Sequence, residues 1–221
     1  MGNAGNFIRR GAFTGEACRA AHPIFKQEIF VAKSSPKKKV FLTDVKTLRA
    51  RARKHLNDGA IGSNYVGAVK KTIAILQSVL ATELVCVLRY TQHSIAGSGI
   101  SSEGVKAEFA EHASDELGHA HLVAERINQL GGTPDFNPEG LLTRSASEYS
   151  QGGNLVDMIR ENLVAERIAV DHYRELIRYF GNNDPGTKSM LEDILRKEEE
   201  HADDMHDLLV AHEGRPMLGK K

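Results

Sequence analysis

The sequence predicts an all-α protein. The expected form is a four-helix bundle, made of two helix pairs joined by a long crossover between helices 2 and 3, with a basic N-terminal extension and a short helix ahead of it. Three observations carry that expectation. Apolar residues recur at steps of three or four along four long stretches, the period of a helix with one buried face. No stretch alternates with period two, so almost no sheet is expected. A composite pattern also occurs twice: a Glu inside an apolar row, a Tyr seven residues on, and a later Glu-x-x-His-Ala. The copies are Glu83, Tyr90 and Glu116-Leu117-Gly118-His119-Ala120, then Glu166, Tyr173 and Glu198-Glu199-Glu200-His201-Ala202. The interval from the first Glu to the second is 33 residues in one copy and 32 in the other, so the two pairs read as an approximate internal repeat.

Composition bounds the class. A chain of 221 residues with 41% hydrophobic and 26% charged content is ordinary for a soluble globular protein. No run of about 18 apolar residues occurs, so no transmembrane helix and no membrane partner are expected. The formal charge of zero hides an asymmetry: residues 1–56 carry 13 Lys/Arg against 3 Asp/Glu, and the remainder carries the opposite excess. Two cysteines, Cys18 and Cys86, exclude a disulfide scaffold and a four-cysteine metal module, and fit a reducing cytoplasm. Arg9 and Arg10 are not followed by an apolar run, so no secretory signal is read, and Glu16 and Glu28 weigh against a transit peptide. The expected location is cytoplasmic.

Residues 1–42, rich in Gly and Lys, read as a disordered extension. Residues 43–62 read as an accessory helix, capped at Thr43-Asp44, with Val45, Leu48, Ala52 and Leu56 on one side. Residues 63–213 form the bundle. Its first helix is expected over about Val66–Ile95, with Ile73, Leu76, Leu80, Glu83, Val87, Tyr90 and Ser94 inward. The second covers about Ser102–Leu130, with Phe109, His112, Glu116, His119, Val123, Ile127 and Leu130 inward, and stops at Gly131-Gly132-Thr133-Pro134. Residues 131–153 are too many for a tight turn and have the length of a crossover along the bundle. The third helix covers Asn154–Phe180, with Met158, Leu163, Glu166, Val170, Tyr173 and Ile177 inward. The fourth starts at Asp184-Pro185 and runs to about His212, with Leu191, Ile194, Glu198, His201, Met205 and Leu208 inward. Residues 214–221 are a C-terminal tail.

A Glu in the middle of an apolar row is costly, because an ionised carboxylate buried without a partner loses several kcal/mol. Four in one bundle would also repel one another. Two divalent cations remove both problems, since four negative charges meet four positive. In Glu-x-x-His the carboxylate and imidazole lie one turn apart on the same face. The six candidate metal residues are therefore Glu83, Glu116, His119, Glu166, Glu198 and His201. Di-iron and di-manganese bundles use this arrangement, and oxygen plus imidazole ligands suit iron or manganese, with zinc as a further alternative.

At these residues the sequence resembles the ferritin-like superfamily, bacterioferritins in particular. The phrases are Leu80-Ala81-Thr82-Glu83-Leu84 with Tyr90, His112-Ala113-Ser114-Asp115-Glu116 with His119-Ala120, Ala124-Glu125-Arg126-Ile127 with Gly131-Gly132, and Leu195-Arg196-Lys197-Glu198-Glu199-Glu200-His201. The resemblance implies a ferritin-like bundle and a ferroxidase that takes Fe(II) and O₂ or H₂O₂ as reactants, with two iron ions per subunit. It implies bridging roles for Glu116 and Glu198 and a redox role for Tyr90. Leu117 stands where haem-binding bacterioferritins have Met, so no haem is expected. Only nine residues follow the fourth helix, too few for the family's fifth. The basic extension is similar to that of Dps-type proteins, and nonspecific DNA contact through Lys37–Lys54 is the partner it implies. A homo-oligomer is implied, as a dimer, a twelve-subunit shell or a 24-subunit cage. Alternatives on the same site are a manganese catalase, a peroxidase or oxygenase, and a DNA-associated metal buffer.

Other chemistry-bearing residues read more plainly. Tyr173 reads as core, hydrogen-bonded through its hydroxyl; Cys86 as a small buried thiol, with an approach to the site as the alternative; Asp115 as an exposed helix charge, with guiding iron as the alternative; and His112 as a packed ring one turn before Glu116, with a partner of the ligands as the alternative. His93, His121, His206 and His212 carry no functional signal.

Overall fold

The computed structural model describes residues 42–213, apart from 55, 58, 60, 63, 64 and 101. The expectations for the N-terminal extension, for Cys18 and for the tail 214–221 lie outside the described residues. Six helices follow in order: α1 (Val45–Lys54), α2 (Val69–Ala96), α3 (Ser102–Gln129), α4 (Leu141–Arg144), α5 (Leu155–Phe180) and α6 (Pro185–Glu213). There is no strand among the described residues, and the all-α bundle expected from the periodicity is the fold observed.

Local chemistry sets the ends of the helices. Asp44 caps α1, accepting from the Thr47 backbone N–H at 2.9 Å. No residue of α1 is buried, and Val45 and Leu48 on its apolar side are 59% and 49% exposed. Asn154 caps α5 in the same way, accepting from the Asp157 backbone at 3.0 Å. Asp184 caps α6 through the Thr187 N–H at 3.0 Å. That carboxylate also receives Arg126 from α3 at 2.9 Å and the Tyr65 hydroxyl at 2.6 Å. One cap thus fastens three parts of the chain. α3 ends at Gly131, whose φ of +80° suits a residue without Cβ, and the Gly132 N–H returns to the Ile127 carbonyl.

α2 and α3 pack as one pair, α5 and α6 as another. The pairs meet with α2 antiparallel to α5: Glu83 faces Tyr173 and Tyr90 faces Glu166. The crossover brings the chain from the end of α3 back along α2. Its route is fixed by hydrogen bonds that climb the helix. Gln77 donates to the Thr133 carbonyl, Ser78 to Arg144, and the Thr82 hydroxyl accepts from the Ala146 N–H. Arg89 then reaches Ser147 and Glu148, Gln92 accepts from Tyr149, and His93 meets the Ser150 carbonyl. The four-residue helix α4 within this segment was not expected; its single buried side chain, Leu141, seats it against Ala81 and Val85.

By length and composition alone α2 is apolar enough to cross a membrane, its most apolar 18-residue window having a mean hydropathy of 1.7. The expectation of no such helix rested on unbroken apolar runs, and half of this window is buried inside the protein. Its composition follows from being covered on two sides, by the bundle and by the crossover, and it carries buried Glu83 and Arg89 within its length. The apolar core has two parts. One holds Leu76, Leu80, Val123, Ile127, Leu191 and Ile194; the other holds Tyr90, Phe109, Ile159, Leu163 and Met205. Fully burying one such aliphatic side chain stabilises by roughly 1.5–3 kcal/mol. These two blocks together therefore offset the desolvation of the carboxylate layer that lies between them in chain position.

Candidate metal centre

α2 contributes Glu83 to that layer, α3 contributes Glu116 and His119, α5 contributes Glu166, and α6 contributes Glu198 and His201. All six are buried, none more than 7% exposed. They fall into two overlapping sets whose ligand atoms lie within 4.8 Å of one another: Glu83, Glu116, His119 and Glu198, then Glu116, Glu166, Glu198 and His201. Glu116 and Glu198 belong to both. The internal repeat is thus a spatial one, each set being three residues of one helix pair completed by one Glu of the other.

The inward atoms approach closely without satisfying each other. His119 Nδ1 lies 2.8 Å from Glu198, 3.4 Å from Glu116 and 3.5 Å from Glu83. Yet Nδ1 of His119 and of His201, both Glu116 oxygens and one oxygen of each other Glu have no hydrogen-bond partner. Buried polar atoms without partners are rare in native proteins. Here they converge on two points, which is the geometry of donors directed at ions rather than at one another.

Without cations the layer holds protons in unusual places. Burial and the Glu116 charge push Glu83 up to about 8. Burial raises Glu166 and Glu198 as well, with Glu116 again the next cause. Glu116 moves the other way: burial would raise it, but His119 and His201 hold its carboxyl below the ordinary range. Burial would depress His119, and the carboxylates of Glu116, Glu198 and Glu83 override it and push the imidazole up to about 12. A metal-free centre therefore keeps protons that an entering cation would displace.

The outward contacts aim these groups. Tyr90 donates to Glu166 and Tyr173 donates to Glu83. Burial, reinforced by those carboxylates, raises both phenols well above 10, so both remain donors. Asp115 accepts from His201 Nε2 at 3.2 Å and is held by Lys197, leaving Nδ1 to face the centre. Asp115 is 31% exposed and paired with His201 and Lys197, where an exposed helix charge was expected. His112 is buried, stacks on His201 with ring centroids 3.9 Å apart, and places Nδ1 3.1 Å from the Tyr90 hydroxyl. The only signal for either was spacing: Asp115 adjoins Glu116, and His112 lies one turn before it.

Cys86 is buried as expected, and burial raises its thiol well above 9. It belongs to neither ligand set and contacts Arg89. His93, expected to carry no signal, is fully buried between the Ser150 carbonyl and Asn162. Leu117 is 41% exposed on α3.

The chain is similar to several known proteins. A nutrient stress-induced DNA-binding protein of Synechococcus is 32% identical over 130 residues, 58% of this chain and 74% of that protein. The dodecameric thioferritin of Bacteroides fragilis, a bacterioferritin-related protein, superposes with a TM-score of 0.64 at 30% identity, covering 66% of this chain and 88% of that one. A ferritin-like, diiron-carboxylate protein of Bacillus anthracis does so at 0.57 and 29%, covering 64% and 96%. The family model for the ferritin-like domain matches residues 73–213, the whole span of α2 to α6 save its first turn, and the chain belongs to that family.

Proposed function

We propose that this chain is a bacterioferritin-like di-iron protein that binds two Fe(II) ions at the six-residue centre and oxidises them to Fe(III) with O₂ or peroxide, in iron storage or detoxification. The observation that carries the reading is the pair of overlapping ligand sets with their unpartnered buried atoms. Glu116 and Glu198, common to both sets, would be the carboxylates shared by the two ions. When bound, the two irons supply one electron each, enough to reduce O₂ to peroxide or peroxide to water with two protons taken up. The protein's own groups hold the geometry. Asp115 fixes the tautomer of His201, Tyr90 and Tyr173 orient the terminal carboxylates, and the apolar blocks exclude bulk water. We assign the redox role to Tyr90, and its hydrogen bond to Glu166 supports that reading. The diiron-carboxylate name of the Bacillus anthracis protein supports iron, and manganese is the alternative metal.

The test is anaerobic loading with two equivalents of Fe(II) followed by O₂ or H₂O₂, read as Fe(III) absorbance and oxidant consumed. Glu116→Ala and Glu198→Ala should each abolish the rapid phase. Unchanged rates in both would overturn the proposal, and manganese in the native protein with rapid peroxide disproportionation would favour a catalase.

We infer further that the chain forms a homo-oligomer. Leu88, Ile95, Leu122, Val164 and Tyr179 are exposed, and the Bacteroides fragilis protein is described as dodecameric. Native mass is the measurement, and a monomer at working concentration would contradict it. A DNA-associated role is a second reading: α1 displays Arg49, Arg51, Arg53 and Lys54 without burying any of them, and the Synechococcus relative is named as DNA-binding. Deleting residues 1–56 should then abolish salt-dependent retention of duplex DNA.

A further inference from the structure

A third group of ligand atoms lies outside the buried centre. Glu108 and His112 are one turn apart on α3, and Asp204 faces them from α6; one ligand atom from each lies within 4.8 Å of the others. His112 Nε2 is 3.4 Å from Glu108 Oε1 and 3.6 Å from Asp204 Oδ2. The imidazole is 2% exposed, whereas the two carboxylates are 35% and 51% exposed. They border a surface cavity of about 450 Å³, lined by Glu108, Asp204, Asp207, Leu208 and Ala211. None of those lining residues is basic.

The hydrogen bonds around His112 say which nitrogen carries its proton. Tyr90 gives its proton to Glu166, so the Tyr90 oxygen is free to accept, and His112 Nδ1–H donates to it. A neutral ring with its proton on Nδ1 has a bare lone pair on Nε2. That lone pair, on a buried side chain, points at two carboxylates. Three acceptors aimed at one another repel unless something positive sits between them. A proton on Nε2 is one solution; a cation is the other. We propose that Glu108, His112 and Asp204 form a solvent-facing site for a divalent first-row transition cation. The nitrogen ligand selects such an ion over magnesium or calcium, which prefer oxygen alone, and the cavity leaves positions open to water.

The site is separated from the buried centre by the stack of His112 on His201. An ion arriving through the cavity meets this ligand set first, which makes it a staging site. The staging role, unlike the site, rests on the proposed filling of the buried centre.

The experiment uses the full-length protein, stripped of metal and titrated with Zn(II), together with anomalous diffraction from Zn(II)-soaked crystals. Three ions per chain are expected, with one anomalous peak beside His112 Nε2. The Glu108→Gln/Asp204→Asn double variant should lose that peak and bind two, with its helical circular dichroism unchanged. Glu116→Ala/Glu198→Ala should keep the outer peak, so that failure of the buried centre and failure of this site are read separately. No outer peak at Zn(II) levels that fill the centre, or a peak that persists in the Glu108/Asp204 variant, would overturn the site. Fe(II) loading of the buried centre should slow in that variant; loading at the wild-type rate would overturn the staging role.

Discussion

Tyr90 shows how one hydroxyl can serve two neighbours. It donates to Glu166 and accepts from His112, so removing it leaves two buried groups short of a partner. We expect Tyr90→Phe to cost about 1.5–3 kcal/mol of stability in the metal-free protein. Metal stoichiometry should stay at two in the buried centre, and Fe(II) oxidation should slow by roughly tenfold for each 1.4 kcal/mol of lost positioning. Stopped-flow oxidation with metal analysis checks this, and a wild-type rate would assign Tyr90 to packing alone. At this scale the sequence was most legible where a residue contradicted its row. Glu83, Glu116, Glu166 and Glu198 stand out because a carboxylate does not belong in an apolar stripe. Asp115 and His112 were less legible because their partners, His201 and Tyr90, lie 86 and 22 residues away, and the only local signal was their spacing from Glu116.

Helix rows were legible to within a few residues, since periodicity and caps are local. α2 is where the inward row was too narrow. Thr72, Val79, Ala81, Thr82, Val85, Cys86, Arg89 and His93 are buried as well, and the crossover covers a second side of the helix at Ala81, Thr82, Val85, Arg89 and His93. A single stripe cannot announce a strap supplied 56 to 66 residues later. Arg89 is the clearest case, fully buried and bonded to Asn162, Ser147 and Glu148, so that α2, α5 and the crossover share one guanidinium. Arg89→Met leaves those acceptors unpaired and should cost about 3 kcal/mol or more. The thermal midpoint of an isolated subunit would fall by roughly 6–12 °C. Faster amide exchange at residues 147–150 in the variant would locate the damage in the crossover; exchange unchanged there would show that the strap does not depend on Arg89.

For the molecule as a whole, the trapped protons set a pH dependence. Glu83 holds its proton up to about 8 when folded, against 4.5 as its ordinary value, and His119 holds its proton up to about 12, against 6.5. Between about pH 7 and 9 the unfolded chain has released both protons and the folded chain releases them late. Folding therefore takes up protons in this window, and the metal-free protein should lose stability as pH rises through it. The depressed groups Glu116 and His112 do not oppose this, since their contributions change only below about 4.5 and 6.5. Saturating Mn(II) or Zn(II) displaces both protons and should flatten the dependence; thermal melts with and without metal would show it. A steeper slope in the metal-loaded protein would contradict the assignment. Each ligand set is nearly complete within one helix pair and borrows a single Glu from the other, so the two pairs behave as interlocking halves of a clasp. A chain cut in the crossover, near residues 137–139, should yield two fragments that recombine in the presence of divalent cation and drift apart when a chelator takes the ions away.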